Sequence, residues 1–125
     1  MNYNYRNLIP SQLESNLRLV QSSGACPEQY EMLYNDDEIA LLHLRYGHFR
    51  VFNSRDQILY EAYPAGDDVF ENNEREFYLT MGQLAVLEHL GYIALPEPIP
   101  TKMTDIPKTP KPDAIPVSFS EFFMD

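Results

Sequence analysis

The chain has 125 residues and a formal charge of −10 at pH 7, with 19 Asp and Glu against nine Lys and Arg. This length accommodates one domain, or a small domain with a tail. The charge argues against direct binding to duplex nucleic acid, because that affinity depends on Lys and Arg, and against docking on anionic lipid. The single cysteine, Cys26, excludes an intramolecular disulfide and a cysteine-only metal site.

The sequence predicts neither an export signal nor a membrane span. The N-terminus lacks the apolar stretch of a secretory signal. The longest apolar run, residues 39–42, is far shorter than the roughly 20 residues that a membrane helix needs. With one thiol and no export signal, we expect a cytoplasmic protein.

The first predicted element is a helix that begins at Ser11. Ser11 and Glu14 form a Ser-x-x-Glu capping box, and an apolar face follows at helical spacing, made of Leu13, Leu17 and Val20. Ser-Ser-Gly at residues 22–24 ends this helix. Pro27 can occupy the first turn of a second, short helix, which carries Tyr30, Met32 and Leu33.

The stretch from residue 38 to residue 63 is predicted to be mostly extended. Aromatic and β-favouring residues flank the turn sequence Asn-Ser-Arg-Asp at 53–56, which predicts a β-hairpin over about residues 48–63. Residues 38–45 alternate as a strand does, yet alanine and leucine at 40–42 also suit a helix. We favour the strand, with Gly47 as a bulge or tight turn.

The last elements are a loop, a helix and a short strand. Residues 64–76 are polar and predict a long loop. A capping box at Thr80–Gln83 and an apolar stripe predict a helix over 80–90, with Gly91 placed just after its last turn. Residues 92–95 are predicted to form a strand. The expected fold class is α+β, with two or three short helices packed on a small antiparallel sheet.

Proline placement predicts where the folded domain ends. Seven of the ten prolines lie between Pro96 and Pro116. Because proline removes a backbone donor and restricts φ, this stretch suits neither a helix nor a central strand. We therefore expect a single small acidic domain over residues 1–95 and a proline-rich extended tail over residues 96–125.

No catalytic or cofactor motif is recognisable. The five glycines are isolated, so no phosphate-binding loop is expected. His43 and His48 are five residues apart, and on one continuous strand they would point to opposite faces unless Gly47 reversed the phase. We expect no metal, no cofactor and no enzymatic activity.

The acidic segment 66–76 is a candidate partner-binding surface, with Asp67, Asp68, Phe70 and Glu71 as candidate contact residues. Its carboxylates suit either a solvated loop or a negative surface that attracts a basic partner. Phe70 suits either an interface anchor or a core residue that holds the loop.

The second candidate is the end of the chain, where hydrophobicity returns after the prolines as Phe119, Phe122 and Phe123. Exposed aromatic side chains gain nothing in water unless they dock on another surface. Two alternatives stay open. The segment docks on its own domain or on a second copy in a homodimer, or it is a linear motif that binds another protein.

These observations predict a non-enzymatic protein-binding module, an adaptor or regulator that acts through its acidic surface and its C-terminal aromatic motif. One alternative is a small acidic inhibitor that imitates nucleic acid and binds a basic protein, as phage anti-defence proteins do. A second alternative is an enzyme of unknown class.

Overall fold

The structure, a computed structural model, describes residues 5–25 and 27–103. After a 3₁₀ turn at Tyr5–Leu8, the elements are α1 Ser11–Glu14, β1 Leu17–Gly24, β2 Glu28–Tyr34, β3 Asp37–Arg45, β4 His48–Asn53, β5 Ile58–Ala62 and α2 Asn72–His89. The five strands lie side by side in chain order, and each pairs with the next in antiparallel orientation. The α+β class is therefore confirmed, with two α-helices among the described residues.

Short turns connect the strands of this meander. The loops Asn35–Asp36 and Tyr46–Gly47 have positive φ at both residues, between 52° and 70°. Two-residue loops of this kind match the right-handed twist of a β-hairpin. The predicted hairpin over residues 48–63 is confirmed as β4 and β5, and the favoured strand at 38–45 is confirmed as part of β3.

The two helices predicted before residue 35 are largely wrong. α1 ends at Glu14, and the following residues form β1 and β2 instead. Leu17 and Leu19 also obey a period of two, and Leu19 lies opposite the buried Met32 of β2. Cross-strand pairing with buried neighbours thus outweighs the helical spacing of the same leucines, since β stability depends on tertiary context.

The C-terminal helix is longer than predicted. α2 begins at Asn72, so the loop predicted over 64–76 ends earlier than expected. Its N-terminus is capped by Glu74, whose carboxylate accepts the backbone N–H of Glu71 at 3.0 Å. Gly91 follows the last turn with φ of 83°, as predicted, but residues 92–95 are not a strand.

The core lies between α2 and one face of the sheet. Each central strand alternates, and its inward residues are almost fully buried: Met32, Leu42, Leu44, Phe49 and Val51. The helix approaches the sheet closely at Gly82, where an added Cβ would lie 2.9 Å from Val51 Cγ2. α2 is buried without interruption from Tyr78 to Leu87, because other segments pack on its outer side.

Residues 96–103 lie against this domain. Ile99 packs against the core, and the Tyr60 hydroxyl donates to the Pro100 carbonyl at 2.7 Å. The Met103 backbone N–H donates to the Tyr78 hydroxyl oxygen at 3.3 Å. The domain boundary at residue 95 stays a prediction, and the tail beyond residue 103 lies outside the described residues.

Candidate functional site

α2 packs on one face of the sheet, and among residues 5–25 and 27–103 no helix packs on the opposite face, which we call the uncovered face. Strand alternation places on the uncovered face the residues between the buried ones. There, the register sets His43 of β3 directly opposite Gln29 of β2 on one side and Arg50 of β4 on the other. Leu41 lies opposite Phe52 on the same two central strands. Non-sheet segments such as Leu13, Leu95 and Ile99 pack on the core side instead.

A depression of about 620 Å³, which we call the groove, is lined by five of these residues, Gln29, Leu41, His43, Arg50 and Phe52, and by three from the first half of β3, Glu38, Ile39 and Ala40. Leu41 and Phe52 supply apolar surface, Gln29, His43 and Arg50 supply polar groups, and Glu38 adds a carboxylate. Asn53, Ser54 and Asp56 border it at the turn between β4 and β5. Convergent polar groups on an apolar floor are typical of a binding site.

Arg50 is the most unusual residue of the groove. Its Nε is buried, and among the described residues no acceptor lies within hydrogen-bond distance of it. Its guanidinium carbon lies 5.4 Å from the centroid of the Phe52 ring, at cation–π distance. The carboxylate of Glu61, which is opposite Arg50 on β5, bonds to His48 at 2.7 Å instead. A buried donor without a partner costs stability, so a shift of this side chain that brings the donor to an external acceptor removes that cost.

His43 lines the groove, and its imidazole is neutral. Its Nδ1 lies 2.9 Å from Gln29 Oε1, which can only accept, so Nδ1 carries the proton. Burial lowers the pKa of His43 below its ordinary value, and the charges of Arg50 and Arg45 lower it further. The ring also meets Phe52 edge-on, with centroids 6.5 Å apart. At neutral pH the positive charge of the groove therefore resides on Arg50.

Aromatic rings continue along the uncovered face beyond the groove. Tyr63 is 70% exposed and stacks on His48, with ring centroids 4.7 Å apart. Tyr46 is 73% exposed, and the guanidinium carbon of Arg45 lies 4.5 Å from its ring centroid. Aromatic and arginine side chains are enriched at protein interfaces.

His43 and His48 do share a face. The tight turn at Tyr46–Gly47 ends β3 and starts β4, so the two histidines lie on adjacent strands rather than on one continuous strand. Across residues 5–25 and 27–103, no group of three or more His, Cys, Asp and Glu side chains is placed to hold a metal ion.

In the acidic segment 66–76, by contrast, several residues make contacts within the domain and are not free to bind a partner. Phe70 is only 3% exposed and packs on Phe49 and Tyr78, with ring centroids 5.1 and 5.9 Å away, so it holds the loop to the core. Asp68 is half-buried and accepts the Tyr46 backbone N–H at 3.0 Å. Asp67 and Glu71 are exposed.

A buried ion pair fastens this segment to the sheet. Glu28 of β2 is 1% exposed, and its carboxylate accepts from Arg75 Nε at 2.7 Å, from the Phe70 N–H at 2.9 Å and from the Tyr30 hydroxyl. Glu74 is also buried, and its carboxylate accepts the backbone N–H groups of residues 65, 66 and 71. Glu28 and Glu74 are therefore structural residues, although acidic side chains are usually expected in solvent.

The three phenylalanines predicted to bind a partner, Phe119, Phe122 and Phe123, lie outside the described residues. The groove was missed in the sequence, although a signal exists. Residues 39–55 are the longest stretch without Asp or Glu, and within it basic side chains alternate with buried ones at 43, 45, 48 and 50.

No protein-family model, curated protein or solved structure matches this chain. In the described part of the chain, no helix is both long enough and apolar enough to cross a membrane.

Proposed function

We propose that this protein is a non-enzymatic protein-binding module whose groove receives an acidic segment of another protein that carries aromatic side chains. One carboxylate of the segment bonds to Arg50, and an aromatic ring of the segment packs on Phe52 and Leu41. The observation that carries the proposal is the buried, unpartnered Nε of Arg50 beside an aromatic ring in an open groove.

Charge supports this assignment. The whole chain is at −10, yet the outward positions of β3 and β4 from residue 41 onward carry Arg and His but no acid. Four acids surround these positions: Glu38 and Asp56 line the groove, Glu31 lies opposite Leu41, and Glu61 lies opposite Arg50. The attraction for a carboxylate is therefore local to the Arg50 guanidinium, which favours one placement of the segment. Arginine binds a carboxylate through two parallel N–H donors, which adds geometric selectivity.

The binding free energy expected from these contacts is enough for a weak, specific complex. A hydrogen bond to a charged group contributes about 1.5–3 kcal/mol. One buried phenylalanine adds about 1.5–3 kcal/mol. Part of this sum is lost to the ordering of the segment, as in other complexes of flexible peptides. The two terms together give at most about 6 kcal/mol, whereas micromolar affinity requires about 8.2 kcal/mol, so we expect a dissociation constant near the millimolar range.

The test is a titration of the full chain with a fluorescein-labelled ten-residue peptide that contains three glutamates and two phenylalanines. We expect saturable binding that weakens at high salt. Arg50→Gln should weaken it at least tenfold, because about 1.4 kcal/mol corresponds to a factor of ten. The matched control is Arg18→Gln, which removes the same charge from β1, where Arg18 pairs with Asp36 at 3.0 Å.

Two further peptides complete the design. Lysine in place of the glutamates should abolish binding, and alanine in place of the phenylalanines should weaken it by a similar factor to Arg50→Gln. Equal weakening by Arg18→Gln and Arg50→Gln would show attraction to general positive charge, and the groove would not be the site.

The exposed acids of segment 66–76 suit a separate, basic partner. The nucleic-acid-mimic alternative has less support from the loop, because Asp68 and Glu74 are engaged in backbone hydrogen bonds and Phe70 is buried. Asp67 and Glu71 are the exposed carboxylates of the predicted set.

A further inference from the structure

We propose that the groove is occupied in the resting protein by the chain's own residues 117–125, which a partner segment must displace. The inference rests on the proposed function, since it names a regulator of the same groove. Of the alternatives given for the C-terminal phenylalanines, this inference is docking on the domain of the same chain.

The chemistry of the segment suits Arg50 and the apolar residues of the groove. Residues 117–125 read Val-Ser-Phe-Ser-Glu-Phe-Phe-Met-Asp, with three phenylalanines, two acids and no basic residue. Glu121 is two residues from Phe119 and from Phe123. Arg50 and Phe52 have the same separation on β4 and share one face. An extended segment can thus bring its carboxylate to the guanidinium and a ring to Phe52 together.

The length of the intervening chain permits this contact. Met103 is held at Tyr78 of α2, on the helix side of the sheet. Thirteen residues separate it from Val117 and can span about 40 Å when extended as proline-rich chain. A domain of this size has a radius of gyration of about 13 Å, so the segment can pass around a sheet edge to the uncovered face.

Covalent linkage then favours the chain's own segment over an external one. A short linker gives an effective concentration in the millimolar range, which exceeds the usual concentration of a free partner. An external segment therefore binds the full chain more weakly than it binds a chain whose own segment is disabled. Access to the groove is regulated by this competition.

The experiment places a nitroxide on the segment of the full-length protein. Cys26→Ser and Met124→Cys create one labelling position, and ¹⁵N spectra report which backbone amides the nitroxide broadens. We expect broadening at His43, Arg50 and Phe52. It should be lost in Arg50→Gln, and retained in the charge-matched control Arg18→Gln.

Disabling the segment supplies the second measurement. In the full chain with Phe119→Ser, Phe122→Ser and Phe123→Ser, the broadening should vanish, and the labelled Glu/Phe peptide should bind more tightly than to the unmodified chain. An unchanged peptide affinity would overturn the inference.

The outcomes separate the two proposals. Spin-labelled ¹⁴N protein can also be mixed with ¹⁵N protein that carries no nitroxide. Broadening of the ¹⁵N protein in this mixture, as strong as in the singly labelled sample once dilution is allowed for, identifies a second copy as the occupant and overturns docking within one chain. No broadening, with Arg50-dependent peptide binding retained, overturns the inference and leaves the proposed function standing. Neither broadening nor peptide binding overturns both.

Discussion

The buried ion pair between Glu28 and Arg75 gives the sharpest prediction for stability. Replacing Arg75 with Met keeps the length of the side chain but leaves the Glu28 carboxylate, 1% exposed, with only the Tyr30 hydroxyl and the Phe70 N–H as donors. Breaking a buried pair in this way costs about 3–5 kcal/mol. The Arg75 side chain is 31% exposed, so we expect the low end, about 3 kcal/mol.

Urea unfolding followed by circular dichroism measures this loss, since the chain has no tryptophan. A loss of about 3 kcal/mol is a large share of the 5–15 kcal/mol typical of a domain. Glu28→Gln and the double variant complete a double-mutant cycle. The two losses should not add, because each single change removes the same contact. A loss below about 1 kcal/mol for Arg75→Met, or strict additivity, would refute the reasoning.

Acid titration tests the same pair independently. Burial alone would raise the pKa of Glu28, but hydrogen bonds from Arg75, Tyr30 and the Phe70 N–H hold this pKa below its ordinary 4.5. A lowered pKa in the folded state stabilises the protein at pH above 4.5, and this contribution is lost as the pH falls through the folded pKa. The stability gap between the unmodified chain and Glu28→Gln should therefore narrow below pH 4.5. A gap that widens there would contradict the assignment.

Three further stability predictions use the same unfolding measurement. Gly66→Ala should cost more than Gly91→Ala, because a Cβ at Gly66 would lie 2.0 Å from the Val69 carbonyl oxygen, whereas at Gly91 nothing lies within 4 Å and only the φ of 83° costs about 1 kcal/mol. Equal losses would contradict the packing at Gly66. Phe70→Ala should cost about 3–5 kcal/mol as a core truncation, and a loss below about 1 kcal/mol would place Phe70 outside the core. Tyr60→Phe should cost about 1 kcal/mol and speed proteolysis within residues 96–103, because the bond to the Pro100 carbonyl is removed; unchanged cleavage would show that this bond does not hold the segment.

Local signals were sufficient where the paired strands are neighbours in sequence. The β4–β5 hairpin has alternating apolar residues and the turn Asn-Ser-Arg-Asp, and its strands pair directly. β1 and β2 could not be distinguished from helices in the same way. Leu17 fits a helical spacing with Leu13 and an alternating spacing with Leu19, and only burial against β2 decides between them.

The start of α2 was predicted too late in the sequence because residues 71–76 are polar. A run of acids and amides at residues 71–76 is typical of solvated loops, yet Glu74 is buried because it binds three backbone N–H groups. A charged residue that serves as a cap for backbone groups has the same composition as one in solvent, so sequence alone does not separate them.

The groove was missed for a different reason. Arg50 and His43 meet only because the turn at Tyr46–Gly47 reverses the chain and sets their strands in register. The acid-free stretch 39–55 signals an unusual face in an acidic protein, but the unpartnered Nε of Arg50 is a property of the packed structure.

The Nε–H resonance of Arg50 tests the central claim most directly. The measurement is a ¹H–¹⁵N titration of the full chain with the Glu/Phe peptide at neutral pH. We predict a saturable downfield shift of this resonance, with the same dissociation constant as the backbone amides of Leu41 and Phe52. Saturable shifts confined to residues 67–71, with the Arg50 resonance unmoved, would contradict it.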